Sequence, residues 1–229
     1  MTQRIDLHTH TFYSDGALLP SEHLRRFAAL DHAAVAITDH ADASNLAELI
    51  ERLQRLLRSQ AGDWPLTALI GVELTHVAPA SIDKLAWQAK TLGAELVIVH
   101  GETIVEPVAP GTNRAAVESP AVDLLAHPGL LTLEEAEVAA ARGCYIEITT
   151  RKGHSLTNGH VAKICRQANA PLVVNTDTHE PGDMANMTLA RAVALGAGLS
   201  AEEADIALLY NPQQLVERIL AGRAGMQNV

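Results

Sequence analysis

Residues 4–16 read RIDLHTHTFYSDG. A short apolar run passes straight into two histidines and an acid. The turn that follows lacks the G-x-G-x-x-G fingerprint of a dinucleotide-binding fold. The same grammar recurs along the chain. Runs rich in Val, Ile and Leu at 4–8, 35–38, 67–73, 96–100, 122–126, 145–149 and 172–175 each end at polar residues, as buried parallel strands do. Helical stretches are expected between them, over 20–30, 45–60, 82–92, 133–142, 157–168 and 187–195. Two more, 201–209 and 212–221, make a C-terminal helical tail from about residue 200. Leu46, Leu49, Ile50, Leu53, Leu56 and Leu57 share one helix face, and Gly93 and Gly143 are helix stops. Residues 109–113 read as a Pro/Gly turn inside the domain. With no linker or internal repeat, residues 1–229 are expected to form a single domain. About seven strand–helix units predict an α/β fold whose parallel sheet closes, or nearly closes, into a barrel. An open doubly wound sheet is the alternative.

Composition narrows the classes. Hydrophobic residues make up 48% of the chain and charged residues 19%, which excludes a disordered chain. Aromatics are only 3%, so the core must come from Ala, Leu, Val and Ile. A net charge of −10 argues against a broad nucleic-acid surface, since phosphate backbones are bound through Lys and Arg. It leaves room for a small local basic clamp. Cys144 and Cys165 are the only cysteines, so no disulfide framework is implied. The opening MTQRIDLHTH lacks the basic-then-apolar pattern of a secretory leader, and no apolar run is long enough for a bilayer. A cytoplasmic protein with no membrane partner is expected; the oligomeric state stays open.

The polar residues at the run ends carry the chemistry. They are His8, His10 and Asp15; Asp39 and His40; Glu73; His100; His127; Thr149 to Lys152; and Asp177 with His179. In a β/α barrel, the C-terminal strand ends converge on one face. His8 and His10, two apart on an extended segment, share a side and can grip one cation together; Asp177 and His179 repeat the spacing. Imidazole and carboxylate suit Zn, Mn or Fe. Such a ring of ligands has room for two or three divalent ions, with Glu73 able to bridge through its two oxygens. His23, His32 and His160 read as ordinary surface residues. His76 and His154 follow strands without a paired spacing and stand between loop and substrate contact. Arg151 and Lys152 lie on the same rim, where a guanidinium can clamp phosphate and a lysine can offer a point charge; a solvated basic loop is the other reading. Arg114 is a weaker candidate for the same role, and Thr103 and Asn113 are candidates to line the mouth.

Taken in order, Asp6-Leu7-His8-Thr9-His10 with Ser14-Asp15-Gly16, Ile37-Thr38-Asp39-His40, Gly71-Val72-Glu73, Val99-His100-Gly101, Ala126-His127-Pro128 and Asp177-Thr178-His179 resemble the PHP domain, the polymerase and histidinol phosphatase family. The resemblance runs from Asp6 to His179. It implies a distorted (β/α)7 TIM-like barrel with up to three metals. On that pattern His8, His10, Glu73 and Asp177 would hold one ion. Glu73, His100 and His127 would hold a second, and Asp15, His40 and His179 a third. Asp15 replaces the His of some members, which favours a harder ion such as Mn or Fe over Zn. Asp39 would orient a ligating imidazole. The implied activity is a metal-dependent phosphoesterase, histidinol-phosphatase-like, acting on the phosphate monoester of a small metabolite, with Glu73, Asp177 and His179 catalytic. A hydroxide shared by two ions would attack in line, and a third-ion ligand or a bound water would protonate the leaving oxygen. The alternatives are a phosphodiesterase or 3′ exonuclease, an amide or lactone hydrolase, and a non-catalytic metal-binding module.

Overall fold

In the computed structural model, residues 3–59 and 62–226 are described. Strands and helices alternate: β1 (Arg4–Asp6), α1 (Pro20–Ala29), β2 (His32–Ile37), β3 (His40–Ala41), α2 (Leu46–Ser59), β4 (Thr67–Leu74), α3 (Pro79–Leu92), β5 (Leu96–His100) and α4 (Thr112–Glu118). There follow β6 (Leu124–Ala126), α5 (Leu133–Arg142), β7 (Tyr145–Thr149), α6 (Asn158–Ala168), β8 (Leu172–Asn175), α7 (Met187–Gly196), α8 (Ala201–Asp205) and α9 (Asn211–Met226). A wide helical turn, Ile206–Tyr210, joins the last two.

Every strand pairing is parallel, in the order β1-β2-β4-β5-β6-β7-β8. β3 resumes the stave of β2 after a break at Thr38-Asp39 and pairs with β4. Closure between the first and last strands is irregular. An isolated parallel bridge links Thr9 to Thr178, and Asp177 N donates to His8 O at 2.9 Å. Below that, side chains replace the ladder: Leu7 N donates to Asn175 Oδ1 at 3.0 Å, and the buried Arg4 guanidinium donates to Val174 O at 3.1 Å. The result is a distorted, nearly closed barrel of seven staves, which excludes the open sheet.

Period-two alternation divides the core. On β2, Ala34 and Ala36 point into the barrel with Ile5, Leu69, Ile98 and Val173. Val35 and Ile37 point out, under Leu24, Phe27, Ile50 and Leu53 of the helices. Leu215, Val216 and Ile219 of α9 belong to the inner cluster, so the tail seals the end where the strands begin. This leaves the other end, where the strands finish, as the open mouth.

Several elements depart from the expected pattern; β2 starts at His32 rather than at 35, and β6 at Leu124 rather than at 122. α3 starts at Pro79 rather than at 82, because proline is at home in the first helical turn. Residues 112–118 form α4, where only a turn was expected at 109–113; seven residues are too few to show a helical period. β3 is two residues long, and no run announces it. Gln60, the expected end of the second helix, lies outside the described residues. Among the described residues no helix is long and apolar enough to cross a membrane.

Candidate metal centre

Backbone pairing aims the first ligand pair. Thr9 is held in the wall: Thr38 N donates to Thr9 O at 2.8 Å, and Thr9 Oγ1 donates to Ala36 O at 2.7 Å. Alternation then turns its neighbours His8 and His10 to the other side, into the mouth, with ring centroids 5.1 Å apart. Glu73 projects from β4 beside them. His100 closes β5, and His127 and Asp177 follow β6 and β8. Both His127 (φ 23°) and Asp177 (φ 52°) hold positive φ, a cost that residues bear mainly at functional sites. The loops after β5 and β6 can meet because Gly101 and Gly129 lack side chains. A Cβ at Gly101 would collide with Ala126 O, and one at Gly129 with Glu102 O.

At the bottom of the mouth, Glu73 Oε1 stands 3.4 Å from His8 Nε2 and 3.7 Å from His127 Nε2. Glu73 Oε2 is 3.6 Å from His10 Nε2. Asp177 Oδ1 lies 3.3 Å from His10 Nε2 and 3.8 Å from His8 Nε2, and its Oδ2 lies 3.6 Å from His127 Nε2. Most of these separations are long for hydrogen bonds. They fit donors that each sit about 2.0–2.2 Å from a shared cation. His8 Nε2, both His10 nitrogens, Glu73 Oε1 and Asp177 Oδ1 are buried without a hydrogen-bond partner. Polar atoms so buried are costly while they have no partner, and imidazole and carboxylate are donors that suit a divalent ion, so the residues fit one. Higher in the mouth, Asp15 Oδ1 lies 3.4 Å from His40 Nε2 and 3.1 Å from His179 Nε2, with His10 adjoining. On the far side His100, His127 and His154 cluster; the His127 and His154 rings stack at 4.2 Å.

A PHP-domain family model matches residues 6–114. An uncharacterised protein of Methanocaldococcus jannaschii, MJ1295, is 49% identical over 217 residues, spanning 94% of this chain and 100% of the relative. The ribonuclease P protein component 3 of Methanosarcina mazei is 28% identical over 163 residues, 65% of either chain. The chain belongs to the PHP family. A solved two-domain protein from Bacteroides vulgatus, described as containing a predicted PHP-like metal-dependent phosphoesterase, shares the fold with a TM-score of 0.50 at 17% identity. That match covers 79% of this chain and 53% of the other, so the chain spans about half of it. Membership and the clustered donors together give the coarse class, a PHP-family metal-dependent hydrolase.

In this PHP barrel most mouth histidines are fixed through Nδ1, which leaves Nε2 facing the cavity. His8 Nδ1 meets Glu147 Oε2 at 2.8 Å, and Asn175 Nδ2 donates to the same oxygen at 3.0 Å. His40 Nδ1 lies 2.6 Å from Thr75 Oγ1 and 2.7 Å from Glu73 Oε2. His154 Nδ1 meets Thr103 Oγ1 at 2.8 Å. His100 and His179 bond the carbonyls of Gly101 and Asp177 at 3.1 and 3.0 Å. Such outer partners set both tautomer and aim. Sequence reasoning missed Glu147, Thr75 and Glu106. For Glu147 there was a signal, an acid in the middle of the apolar run YIEIT. Asp39, expected to orient an imidazole, instead braces the loop after His10. Its carboxylate accepts from Thr11 N (2.7 Å), Thr11 Oγ1 (2.6 Å) and Ser14 Oγ (2.7 Å).

Burial and charge oppose one another here. Burial would raise the Glu73 carboxyl, yet His8 and His40 hold it well below the usual range. Asp177 is likewise depressed against burial, by His8, His10 and His127. Burial drives His10 down to about 4, and drives His127 well down with help from the His100 charge. Both shifts favour the neutral imidazole, the form that can donate a lone pair. His40 goes the other way, up to about 10, because Glu73 and Asp15 outweigh its burial. Glu106 is drawn down to about 2 by its hydrogen bond to His100, with His76 and His154 adding.

A cavity of about 250 Å³ fills the mouth, lined by Asp15, His40, Thr75, His76, His100, Glu106, Arg151, His154, Asp177 and His179. Arg151 is therefore on the rim, its Nη1 bonded to Asp183 Oδ2 at 3.0 Å. Lys152 is exposed and outside the lining. Arg114 is a correction: it lies on the outer side of α4, paired with Glu118 one turn on, and does not reach the cavity. Asn113 is buried and ties two loops, accepting from Glu102 N and donating to Pro128 O. Two of the three histidines expected at the surface are buried. His23 bonds Thr9 Oγ1 at 2.8 Å under the wall, and His32 starts β2. His160 is half-buried on Leu131 O. Both cysteines are buried and free.

Proposed function

We propose that this protein hydrolyses the phosphate monoester of a small molecule, with two or three divalent ions held in the barrel mouth. One observation carries the reading. Buried, unpartnered nitrogen and oxygen atoms of His8, His10, Glu73 and Asp177 converge beneath a cavity whose lining includes one guanidinium, that of Arg151. His8, His10, Glu73 and Asp177 would hold one ion, Glu73 with His100 and His127 a second, and Asp15, His40 and His179 a third. Mn, Fe and Zn all suit these donors. Bound there, such ions neutralise phosphate oxygens and acidify water.

The chain's own groups do the rest. Arg151 donates to a phosphate oxygen, and Asp183 holds it in place. Glu147 keeps His8 aimed inward, and Thr103 does the same for His154. His154, whose Nε2 is 4.0 Å from Asp177 Oδ2, donates to the substrate phosphate. A water oxygen joins phosphorus as the bond to the ester oxygen breaks. That oxygen takes a proton from water, or from His179 where the third ion is absent, and leaves as an alcohol, while the attacking water gives up one proton to solvent.

A second reading, phosphodiester cleavage, is favoured by the relative named as a ribonuclease P component. Against it stand the net charge of −10 and the single arginine in the lining. p-Nitrophenyl phosphate and bis-p-nitrophenyl phosphate, each offered with Mn, Fe or Zn and then with chelator, separate the readings. Metal-dependent release from the monoester is expected. Release from the diester alone reverses the order, and no release from either in any metal refutes both.

A further inference from the structure

One seam of the barrel is unlike the others. A parallel ladder joins every other pair of neighbouring staves, but none joins β1 to β8 among the described residues. The candidate ligands nonetheless straddle this seam. His8 and His10 follow β1, and Asp177 and His179 follow β8. Asp177 Oδ1 lies 3.3 Å from His10 Nε2, and the His10 and His179 rings stack at 4.2 Å. A seam free to widen would draw these donors apart, whereas a working ligand set must be held to within about 0.5 Å.

Asp6 sits where the missing rungs would be, fully buried. Its Oδ1 accepts from Thr176 N at 3.2 Å and from His8 N at 3.4 Å. Its Oδ2 accepts from Thr176 Oγ1 at 2.8 Å and lies 3.1 Å from Arg4 Nη2. One carboxylate thus grips both sides of the seam, two residues before His8 on one side and directly before Asp177 on the other. Thr178 Oγ1 lengthens the chain of bonds by donating to Thr176 Oγ1 at 2.6 Å. Arg4 adds a second strap, donating to Val174 O and to Ala185 O.

Stability alone does not account for this arrangement. Burying two charges is expensive, and a well-packed apolar pair of similar volume is often as stable or more so. The best-attested use of a buried charged or polar group is to fix register, and here the register is that of two ligand pairs. Asp177 holds φ 52°, a strained backbone that persists only where its surroundings over-determine it. Asp6 supplies two of the bonds that do so, both to the residue just before it.

We infer that Asp6 is a positioning residue for the inner metal site: through Thr176 it sets how far Asp177 stands from His8 and His10. This rests on the reading above that those three residues, with Glu73, share an ion.

Three variants of the full chain test it. Asp6→Asn removes the charge. Thr176→Val removes the hydroxyl that donates to Asp6 and keeps the pair of Arg4 with Asp6, and Thr176→Ser keeps the hydroxyl. The readouts are calorimetric titration of the metal-free proteins with manganese and absorption spectra of their cobalt-loaded forms. Asp6→Asn and Thr176→Val should weaken the tightest ion at least about tenfold and alter the cobalt bands. Thr176→Ser should match the wild type in both. If Asp6→Asn does not fold because Arg4 is left unpaired, Thr176→Val carries the test. Variants that melt at a lower temperature yet bind manganese as tightly, with unchanged cobalt bands, overturn the proposal, because Asp6 would then only hold the seam shut. Equal losses in Thr176→Val and Thr176→Ser also overturn it. Asp177→Ala tests the underlying reading separately and should abolish the tightest site. Manganese affinity unchanged in that variant would mean that the ion lies elsewhere, and the shared-ion reading would fall together with the role of Asp6.

Discussion

His8 depends on a residue that never faces the cavity. Its Nδ1 is held by Glu147 at 2.8 Å, and both side chains are fully buried. Replacing Glu147 by Gln keeps the shape but removes the charge that favours a strongly donating Nε2. Manganese or zinc affinity should fall about 10–100-fold, read by calorimetric titration, with the circular dichroism spectrum unchanged. An unaltered affinity would show that Glu147 only fills space. Arg151 acts on the other partner. A charge-assisted hydrogen bond of about 1.5–3 kcal/mol corresponds to roughly 10–100-fold, so Arg151→Met should raise KM for p-nitrophenyl phosphate by that factor. Metal content, measured by atomic emission, should stay constant. Loss of bound metal in this variant would mean that the guanidinium supports Asp177, 3.8 Å away, rather than substrate. Most of the clustered histidines and acids could be picked out in the sequence because they end or closely follow a strand; Asp15 lies nine residues past β1, and its place in a ligand set came only from the family resemblance. Glu147 escaped because it lies inside a strand, where an acid looks like noise in an apolar run. His154 appeared only as a loop histidine, since its partners Thr103 and Glu106 lie some fifty residues away in the chain.

Strands were more legible than the joints between them. A buried parallel strand is a mostly apolar run, and the runs expected at 67–73, 96–100, 145–149 and 172–175 show it. The break after β2 is set by Thr38 and Asp39, whose side chains bond the neighbouring loop, so no propensity pattern forecasts β3. α4 is too short to show a period. Loop junctions in turn depend on close approaches that sequence does not reveal. Gly101 is the clearest: its missing side chain lets β5's end pass Ala126 O and Pro128. Gly101→Ala should therefore force the two loops apart and cost about 1–3 kcal/mol, as overpacking does. At roughly 2–4 °C per kcal/mol for a chain of this size, Tm should drop by several degrees in a thermal melt. Metal affinity should fall too, because His100 and His127 flank that junction. A melt indistinguishable from wild type would mean that the loops have slack.

At the scale of the whole molecule, buried histidines tie stability to pH. Burial depresses His23 to about 3, with the His10 charge adding, and depresses His32 to about 4. In the unfolded chain both return to about 6.5. Between these limits the unfolded state binds more protons, so stability is complete above pH 6.5 and declines as pH falls toward 4. Each ring contributes at most about 1.4 kcal/mol per pH unit within that window. The depressed carboxylates Glu73, Asp15 and Asp177 act in the same direction lower on the scale. His40, raised to about 10, has the opposite sign: its contribution is present below 6.5 and fades as pH climbs through 10. Guanidinium melts of metal-free protein should thus show a steep loss of stability from pH 6.5 to 4.5, and His32→Phe should make that slope shallower. Divalent ions add a second lever, because binding only the folded form stabilises it by about 2.7 kcal/mol at a hundredfold excess over Kd. At pH 7.5, manganese or zinc should raise Tm and a chelator should reverse the gain. At pH 5 the gain should shrink, because protons compete for the same imidazoles. A metal-induced shift of equal size at both pH values would mean that the stabilising ions bind somewhere other than the histidine-lined mouth.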